Sequence, residues 1–317
     1  MSEIDVAKPA RLVTGLPLWS ALAIVYVVWG STYLGIRIVV EEAGQPPLFP
    51  TGVRFLIAGS VLAAVLLVRK GSRALVVPPR QAAASVLLGF LFLCCGVGVV
   101  SIAEQTVPSG LAALLVAAMP LWVVLLRTGL GGERPHRLTW IGTIIGFAGI
   151  AVLARPGAHG DVELWGVLLI LLATVCWGFG AFVSSRLTLP KNAFVTAVYE
   201  MWGGGLILFI AGFASGELND FSFAAVPDKG WWAFAYLTVI GSVVAYSAFV
   251  WLLEHAPVSL TTTYAYVNPV VAVFLGWLIL SEPITGAVVL GGSLAVLGVA
   301  LVVRAERSKP PKSVATQ

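Results

Sequence analysis

Two ionisable side chains lie inside long apolar stretches of this sequence, where charge is costly. Arg54 and Glu200 each follow about seven residues of such a stretch, which is about 10 Å of helix. Ionisable groups are rare in membrane-spanning helices, and they usually mark a binding site or an ion path. Glu200 is therefore a candidate for proton coupling and Arg54 a candidate gate or vestibule charge. The alternative for Glu200 is a structural bond to Tyr199 or Trp202.

Polar and aromatic side chains also lie where lipid alone would favour aliphatic ones. Small residues and aromatics can simply pack helices together, so a structural role is the alternative at each position. A second possibility is that these side chains line a pocket for a solute with an apolar part. The candidate substrate-binding residues are Trp29, Thr32, Tyr33, Trp177, Ser184, Tyr246, Thr261, Tyr264 and Asn268.

The stretch TTTYAYVNPVVAVFLGWLILSEP combines a polar first half with a proline. At helical spacing Thr261, Tyr264 and Asn268 share one face, whereas Val270 and Phe274 face away. Proline removes a backbone hydrogen bond and frees the carbonyl one turn earlier, so Pro269 is a candidate hinge or gate. Pro120 lies midway in another apolar stretch and is expected to act in the same way; an ordinary packing kink is the alternative.

Several classes of function lack support in the sequence. Neither HExxH, GxSxG nor a GxxxxGK[ST] loop is present, so an enzyme and an ATP-driven pump are disfavoured, and no cofactor is expected. The three histidines and three cysteines have no metal-ligand spacing, so no metal site is expected. A basic cluster that would bind phosphates is also missing. The net charge of +4 is explained by membrane orientation, and we expect no nucleic-acid partner.

The composition predicts an all-α integral membrane protein. Of the 317 residues, 59% are hydrophobic and only 11% are charged, and the apolar residues come in blocks near the length that crosses a bilayer. We expect ten membrane-spanning helices, with no room for a soluble domain. Their ranges are 17–38, 47–68, 82–103, 109–127, 137–154, 163–184, 194–214, 230–252, 258–279 and 285–303.

The basic residues predict the orientation. With both termini in the cytoplasm, 15 of the 19 Lys and Arg residues fall on the cytoplasmic side. Residues 1–15 are then a cytoplasmic N-terminal tail and residues 304–317 a basic cytoplasmic C-terminal tail. The expected location is the bacterial inner membrane, with the lipid bilayer as a partner.

The two halves of the chain repeat each other. At a constant offset of 149, Pro108 aligns with Pro257, and the pairs 120/269, 133/282, 142/291, 149/298 and 155/304 are also identical. Residues 16–155 and 163–303 are therefore predicted to be two five-helix repeats. Since five is odd, the second repeat enters the membrane inverted. Glu133 and Glu282 are expected to fix the turn before the helix that follows each.

Aligning RFLIAG with EMWGGG makes Arg54 and Glu200 equivalent across this inversion. They enter the membrane from opposite faces, so about 10 Å along the membrane normal is expected to separate them. Direct pairing of the two charges is therefore not expected.

The motifs GLAALLxxxxP, the GE turn and the glycine-spaced last helix resemble the EamA module, two copies of which build the ten-helix carriers of the drug/metabolite transporter superfamily. The segments WGSTYLGIRIV and GVRFLIAG are similar to its amino-acid and metabolite exporters of the YddG and YedA type. The resemblance covers residues 17 to 304. It implies a monomeric exporter of neutral or aromatic amino acids or amphipathic drugs, working by alternating access, with spans 1, 3, 4, 6, 8 and 9 lining the cavity.

Three alternatives stay open beside this reading. The chain could be a channel, a lipid-translocating protein, or a carrier for another class of metabolite. Protons are the candidate coupling ion, and the substrate is a small molecule.

Overall fold

The computed structural model describes residues 15–132, 135–155, 162–219, 221–256, 258–261 and 263–307, and within these ranges it contains helices and no strand. Eight helices are long and apolar enough to cross a membrane, by length and composition. They are α1 (Leu16–Glu42), α2 (Leu48–Lys70), α3 (Pro79–Ala103), α4 (Ser109–Gly129), α6 (Leu164–Ser184), α7 (Ala193–Ala214), α8 (Asp228–Leu252) and α10 (Gly286–Ala305). Two apolar helices are shorter, namely α5 (Arg137–Leu153) and α9 (Tyr264–Leu280).

Each of the ten ranges expected from the sequence coincides with one of these helices to within a few residues. The single-turn helix Val258–Thr261 precedes α9, so the expected ninth span is divided near residue 263. The expected N-terminal tail and most of the C-terminal tail lie outside the described residues, as does Glu133.

Four helical segments are wound as π-helix, with the carbonyl bonded one residue further along than in an α-helix. Two lie in α1, at Val25–Trp29 and Ile38–Glu42. The others are Phe90–Gly98 in α3 and Leu237–Val244 in α8. π-Helical segments are frequent at functional sites because they redirect side chains.

Several helix pairs in the described part of the chain approach closely through glycine. In α5 and α10, a Cβ on Gly142 would lie 2.7 Å from the carbonyl oxygen of Gly298, and one on Gly149 would lie 2.6 Å from that of Gly291. Residue numbers rise along one helix as they fall along the other, so α5 and α10 are antiparallel. In α2 and α7, Gly52 approaches the backbone of α7 in the same way. Without the glycines these backbones could not touch.

Charged side chains join the helices at one end of the bundle, which we call the Glu282 end. The Glu282 carboxylate accepts hydrogen bonds from the backbone N–H groups of Ser109 at 2.7 Å and Gly110 at 2.9 Å, where α4 begins. Glu217 accepts in the same way from Leu48 at 3.0 Å and Phe49 at 2.7 Å, where α2 begins. Negative charge at a helix N-terminus is favourable because four N–H groups there lack intrahelical partners.

The expectation that Glu282 fixes the turn before the helix that follows it is wrong. Glu282 caps α4, in the first half of the chain, and not α10, which follows it. The reason is that α4 and α9 pack side by side, with Gly110 against Val273, which brings the end of α9 to the start of α4.

Candidate functional site

Four aromatic side chains from α1, α8 and α9 form one cluster, which we call the aromatic cluster: Trp29, Tyr246, Phe249 and Tyr264. The Trp29 ring lies 4.8 Å from that of Phe249 and 5.2 Å from that of Tyr264, centroid to centroid. Tyr246 lies 6.4 Å from Trp29. These distances and the edge-to-face angle of 85° between Trp29 and Tyr264 are those of favourable aromatic pairs. The cluster offers apolar ring faces to a solute.

Hydrogen bonds hold the helices around the cluster in place. The Trp29 Nε1–H donates to the carbonyl oxygen of Gly241 at 3.3 Å, which ties α1 to α8. The hydroxyls of Tyr26 and Thr263 share a hydrogen bond, which ties α1 to the start of α9. The Asn268 amide nitrogen faces the carbonyl oxygens of Tyr26 at 3.2 Å and Tyr264 at 3.3 Å.

Both intramembrane ionisable residues bond to the same helix, α8, at side chains four residues apart. Arg54 Nε on α2 donates to Ser242 Oγ at 2.9 Å, and the Tyr246 hydroxyl donates to Glu200 Oε2 on α7 at 2.7 Å. Arg54 and Glu200 are each only 6% exposed. No ion pair joins either of them to another described residue. Among the described residues, each is therefore buried and bonded to one hydroxyl of α8 without a partner of opposite charge, and the Arg54 guanidinium also lies 4.9 Å from the centre of the Phe55 ring.

The structural alternative for Glu200, a bond to Tyr199 or Trp202, is wrong, because both side chains have other partners. Tyr199 donates to the carbonyl oxygen of Leu75 at 2.9 Å, and Trp202 Nε1 donates to Ser60 Oγ at 3.2 Å. Glu200 is instead bonded to Tyr246, which the sequence had placed among the substrate contacts.

The other candidate residues of the first half lie at different distances from the cluster. The Thr32 hydroxyl donates to the carbonyl oxygen of Trp29, within its own helix, while its methyl group faces Gly241. Tyr33 packs against a separate core of α4 and α6 residues.

The second-half candidates divide in the same way. Thr261 is buried and bonds the carbonyl oxygen of Leu252 at 3.5 Å. Ser184 bonds the carbonyl oxygen of Ala181 within its own helix. Trp177 packs on Phe92, with ring centroids 5.4 Å apart, so it contributes to the contact between α3 and α6.

The two prolines occupy different positions relative to the helix breaks. α4 is divided into Ser109–Val116 and Met119–Gly129, and Pro120 lies in the first turn of the second piece, where its missing N–H is not needed. Pro269 lies inside the continuous helix Tyr264–Leu280. The helix is therefore broken beside Pro120 but not at Pro269, and whether either proline acts as a hinge stays a prediction.

The face of α9 opposite the cluster agrees with the sequence pattern. Val270 is 58% exposed and Phe274 is 53% exposed, as expected of side chains that face lipid. Asn268 is buried on the other face.

Sequence reasoning missed three residues of this region, and at the Glu282 end it missed the burial of a fourth, Glu104. Helical periodicity could have found three of them, because Tyr26 precedes Trp29 by three residues, Phe249 follows Tyr246 by three, and Ser242 precedes Tyr246 by four. Glu104 had no such signal. Its carboxyl is buried at the Glu282 end, and neither of its oxygens has a hydrogen-bond partner among the described residues.

Possible metal ligands do not cluster in the described part of the chain. No group of three His, Cys, Asp or Glu side chains there could hold a metal ion. Cys94, Cys95 and Cys176 are free thiols.

Comparison with known proteins places the chain among transporters. The model of the EamA-like transporter family matches twice, over residues 17–155 and 164–304. The inner membrane transporter YedA of Escherichia coli, itself uncharacterised, is 41% identical over 302 residues, which cover 94% of each chain. The transporter YdfC of Bacillus subtilis, also uncharacterised, is 29% identical over 86% of each chain.

A third relative carries a more specific name. The probable terminal-alkyne amino-acid exporter of Streptantibioticus cattleyicolor is 27% identical over 295 residues, which cover 90% of this chain and 92% of that protein. A solved crystal structure with 22% sequence identity has the same fold, with a TM-score of 0.61 over 92% of this chain and 99% of that one. With its two family matches and its apolar helices, the chain belongs to the EamA-like transporter family and is a membrane transporter.

Proposed function

We propose that this protein is a secondary transporter that exports amino acids with apolar or aromatic side chains across the inner membrane. The observation that carries the proposal is the aromatic cluster, which bonds Glu200 through Tyr246 and bonds Gly241, next to Arg54, through Trp29. Ring faces suit an apolar side chain, and the charges suit the two ends of an amino acid. The printed name of the Streptantibioticus cattleyicolor relative, an amino-acid exporter, points the same way.

The architecture that we propose has ten membrane spans in two inverted repeats. The 17 residues of α5 and of α9 would each extend about 26 Å, close to the thickness of the hydrocarbon core. The two matches of the family model support two repeats.

The α5–α10 contact supports the inversion. Gly142 and Gly291 are equivalent by sequence, as are Gly149 and Gly298, and the contacts are exchanged: Gly142 meets Gly298, and Gly149 meets Gly291. Such an exchange is the signature of a twofold axis. Equivalent halves of opposite orientation suit alternating access, with Pro120 and Pro269 as hinges.

Export requires a driving force, and Glu200 is the proposed coupling residue. It is the buried carboxyl beside the aromatic cluster, and the titratable group that faces it is Tyr246. If a proton and a substrate ammonium group compete for Glu200, uptake of one favours release of the other, because such coupling is reciprocal.

Counterflow in proteoliposomes tests the transport activity. Purified protein is reconstituted in vesicles loaded with unlabelled phenylalanine, and entry of radiolabelled phenylalanine, tryptophan or leucine is measured with and without a pH gradient. We expect saturable counterflow that the pH gradient stimulates, and loss of that stimulation in Glu200→Gln. Flux that rises linearly with concentration would instead indicate a pore, and absence of amino-acid exchange would contradict the proposed substrate.

A matched pair of α9 variants locates the substrate. Tyr264→Leu should raise the half-saturation concentration about tenfold, which is about 1.4 kcal/mol, because it removes a ring of the aromatic cluster. Phe274→Leu, an equally aromatic loss on the exposed face of the same helix, should change nothing. Equal effects of the two changes would contradict a site at the cluster.

A further inference from the structure

Arg54 and Glu200 are buried residues of opposite charge that do not bond to each other, and we call this arrangement a split ion pair. A buried charge without a partner is costly, since taking an ion out of water costs several kcal/mol. A pair of opposite charges usually recovers part of that cost by direct contact, but these two are held apart, each by its own hydroxyl on α8. Such an arrangement is stabilised when a ligand brings one charge of each sign.

The unused hydrogen-bonding groups lie next to the aromatic cluster. Arg54 uses Nε for Ser242, and neither of its terminal amino groups has a partner among the described residues. Its Nη2 lies 3.5 Å from the position that a Cβ on Gly241 would take, and the carbonyl of Gly241 receives the Trp29 indole N–H. Glu200 uses Oε2 for Tyr246, a member of the cluster, and its Oε1 has no partner among the described residues.

Arg54 and Glu200 bond to two hydroxyls on the same face of α8, as the two ends of one small zwitterion would require. Ser242 and Tyr246 are one turn apart on α8, which is about 6 Å along the helix. In an α-amino acid the carboxylate and the ammonium nitrogen are about 3 Å apart, set by the two bonds that join them.

We propose that Arg54 binds the α-carboxylate and Glu200 the α-ammonium group of one zwitterionic amino acid, whose side chain packs against the aromatic cluster. This assignment rests on the proposed function, because it requires amino acids to be the substrates. The assignment adds that a substrate must carry both a carboxylate and an ammonium group to bind tightly. A guanidinium fork matches a carboxylate, and a carboxylate accepts from an ammonium group.

The ligand itself provides the first test. Binding to the purified protein is measured by competition against labelled phenylalanine, with two probes that each lack one end. These are 3-phenylpropionate, which has no ammonium group, and phenethylamine, which has no carboxylate. We expect each to compete at least about tenfold more weakly than phenylalanine, because each leaves one buried charge unpaired.

The variants assign each end to a residue. In Arg54→Gln the advantage of phenylalanine over phenethylamine should disappear, while its advantage over 3-phenylpropionate should remain. Glu200→Gln should do the reverse. Removing a ligand group and a protein group, separately and together, forms a double-mutant cycle. A general loss of affinity in a variant would weaken all three ligands alike and would not produce this selective pattern. Arg54→Lys, which keeps the charge, should restore part of the preference.

The outcomes separate this inference from the proposed function. If the wild type exchanges phenylalanine in liposomes but binds phenylalanine and both probes equally, the split-pair site would be wrong. The transport proposal would then stand. Should it bind no amino acid at all, the transport proposal would fail first. If a variant does not fold, as shown by its thermal transition, the comparison of probes on the wild type still decides whether both ends are read.

Discussion

At the scale of single residues, the space between Arg54 and α1 depends on Gly241. Its carbonyl holds the Trp29 indole, and its missing side chain leaves room beside Arg54. A methyl group there would lie 3.2 Å from Thr32 Cγ2 and 3.5 Å from Arg54 Nη2. The crowding is modest, so the fold should tolerate it while the guanidinium loses freedom to turn toward a ligand.

We therefore expect Gly241→Ala to raise the half-saturation concentration for phenylalanine by about tenfold, or about 1.4 kcal/mol, without changing the thermal transition. Gly129→Ala is the matched control, because no atom lies within 4 Å of the added methyl group. Counterflow and thermal unfolding of both variants check this. Unaltered counterflow in Gly241→Ala would show that the space beside Arg54 is not used.

Residue-level prediction from the sequence succeeded where helical spacing carried the information. Arg54, Trp29, Tyr246 and Tyr264 were identifiable as polar or aromatic residues inside apolar stretches, and the structure brings all four to α8 and its neighbours. Trp177 has the same sequence signal as Trp29, yet it packs on Phe92. Sequence spacing places a side chain on a face of its own helix, but it does not say which helix that face meets.

At the scale of helices, α5 and α10 are held by direct backbone contact. A Cβ on Gly298 would lie 2.4 Å from both the N and Cα atoms of Gly146, and backbone atoms cannot move aside as a side chain can. Packing between helices is a main source of stability in membrane proteins, since lipid is as apolar as the helix surfaces.

We expect Gly298→Ala to destabilise the protein by about 1–3 kcal/mol, as overpacking of a tight contact does. Thermal unfolding in detergent measures the loss. Gly286→Ala, at the start of the same helix with nothing within 4 Å of the added methyl group, should leave the transition unchanged. If the two variants unfolded at one temperature, the close approach of α5 and α10 would be unimportant for stability.

The helices themselves were largely predictable, because runs of apolar residues near 20 in length leave few alternatives. The π-helical segments and the division of α4 at residues 117–118 were not, since they depend on contacts between helices. The cap on α4 illustrates the limit: Glu282 and Ser109 are 173 residues apart in sequence, and local spacing cannot report such a contact.

At the scale of the whole molecule, the basic residues predict the orientation, because 15 of 19 would fall on the side of the termini if both termini are cytoplasmic. The Glu282 end would then face away from the cytoplasm. Ser222, after α7, and Ser72, after α2, are exposed and lie on opposite sides in this arrangement.

Single cysteines at these positions test the orientation, in a background where Cys94, Cys95 and Cys176 are replaced by serine. A membrane-impermeant thiol reagent applied to intact cells should label Ser222→Cys and spare Ser72→Cys, and both should react after permeabilisation. The opposite labelling pattern would invert the topology.

In each of the two caps at the Glu282 end, the carboxylate partner is more sensitive to mutation than the backbone partner. Glu217 and Glu282 each contribute a side chain, but the groups they bind at residues 48, 49, 109 and 110 are backbone N–H groups, which every residue except proline provides. Changes at positions 48, 49 and 109 therefore keep the donor groups, although a Cβ on Gly110 would lie 3.0 Å from Val273 Cα. One change at either glutamate, in contrast, removes two hydrogen bonds. These two links between the halves of the transporter each depend on one carboxylate side chain, and the other partner in each is the backbone.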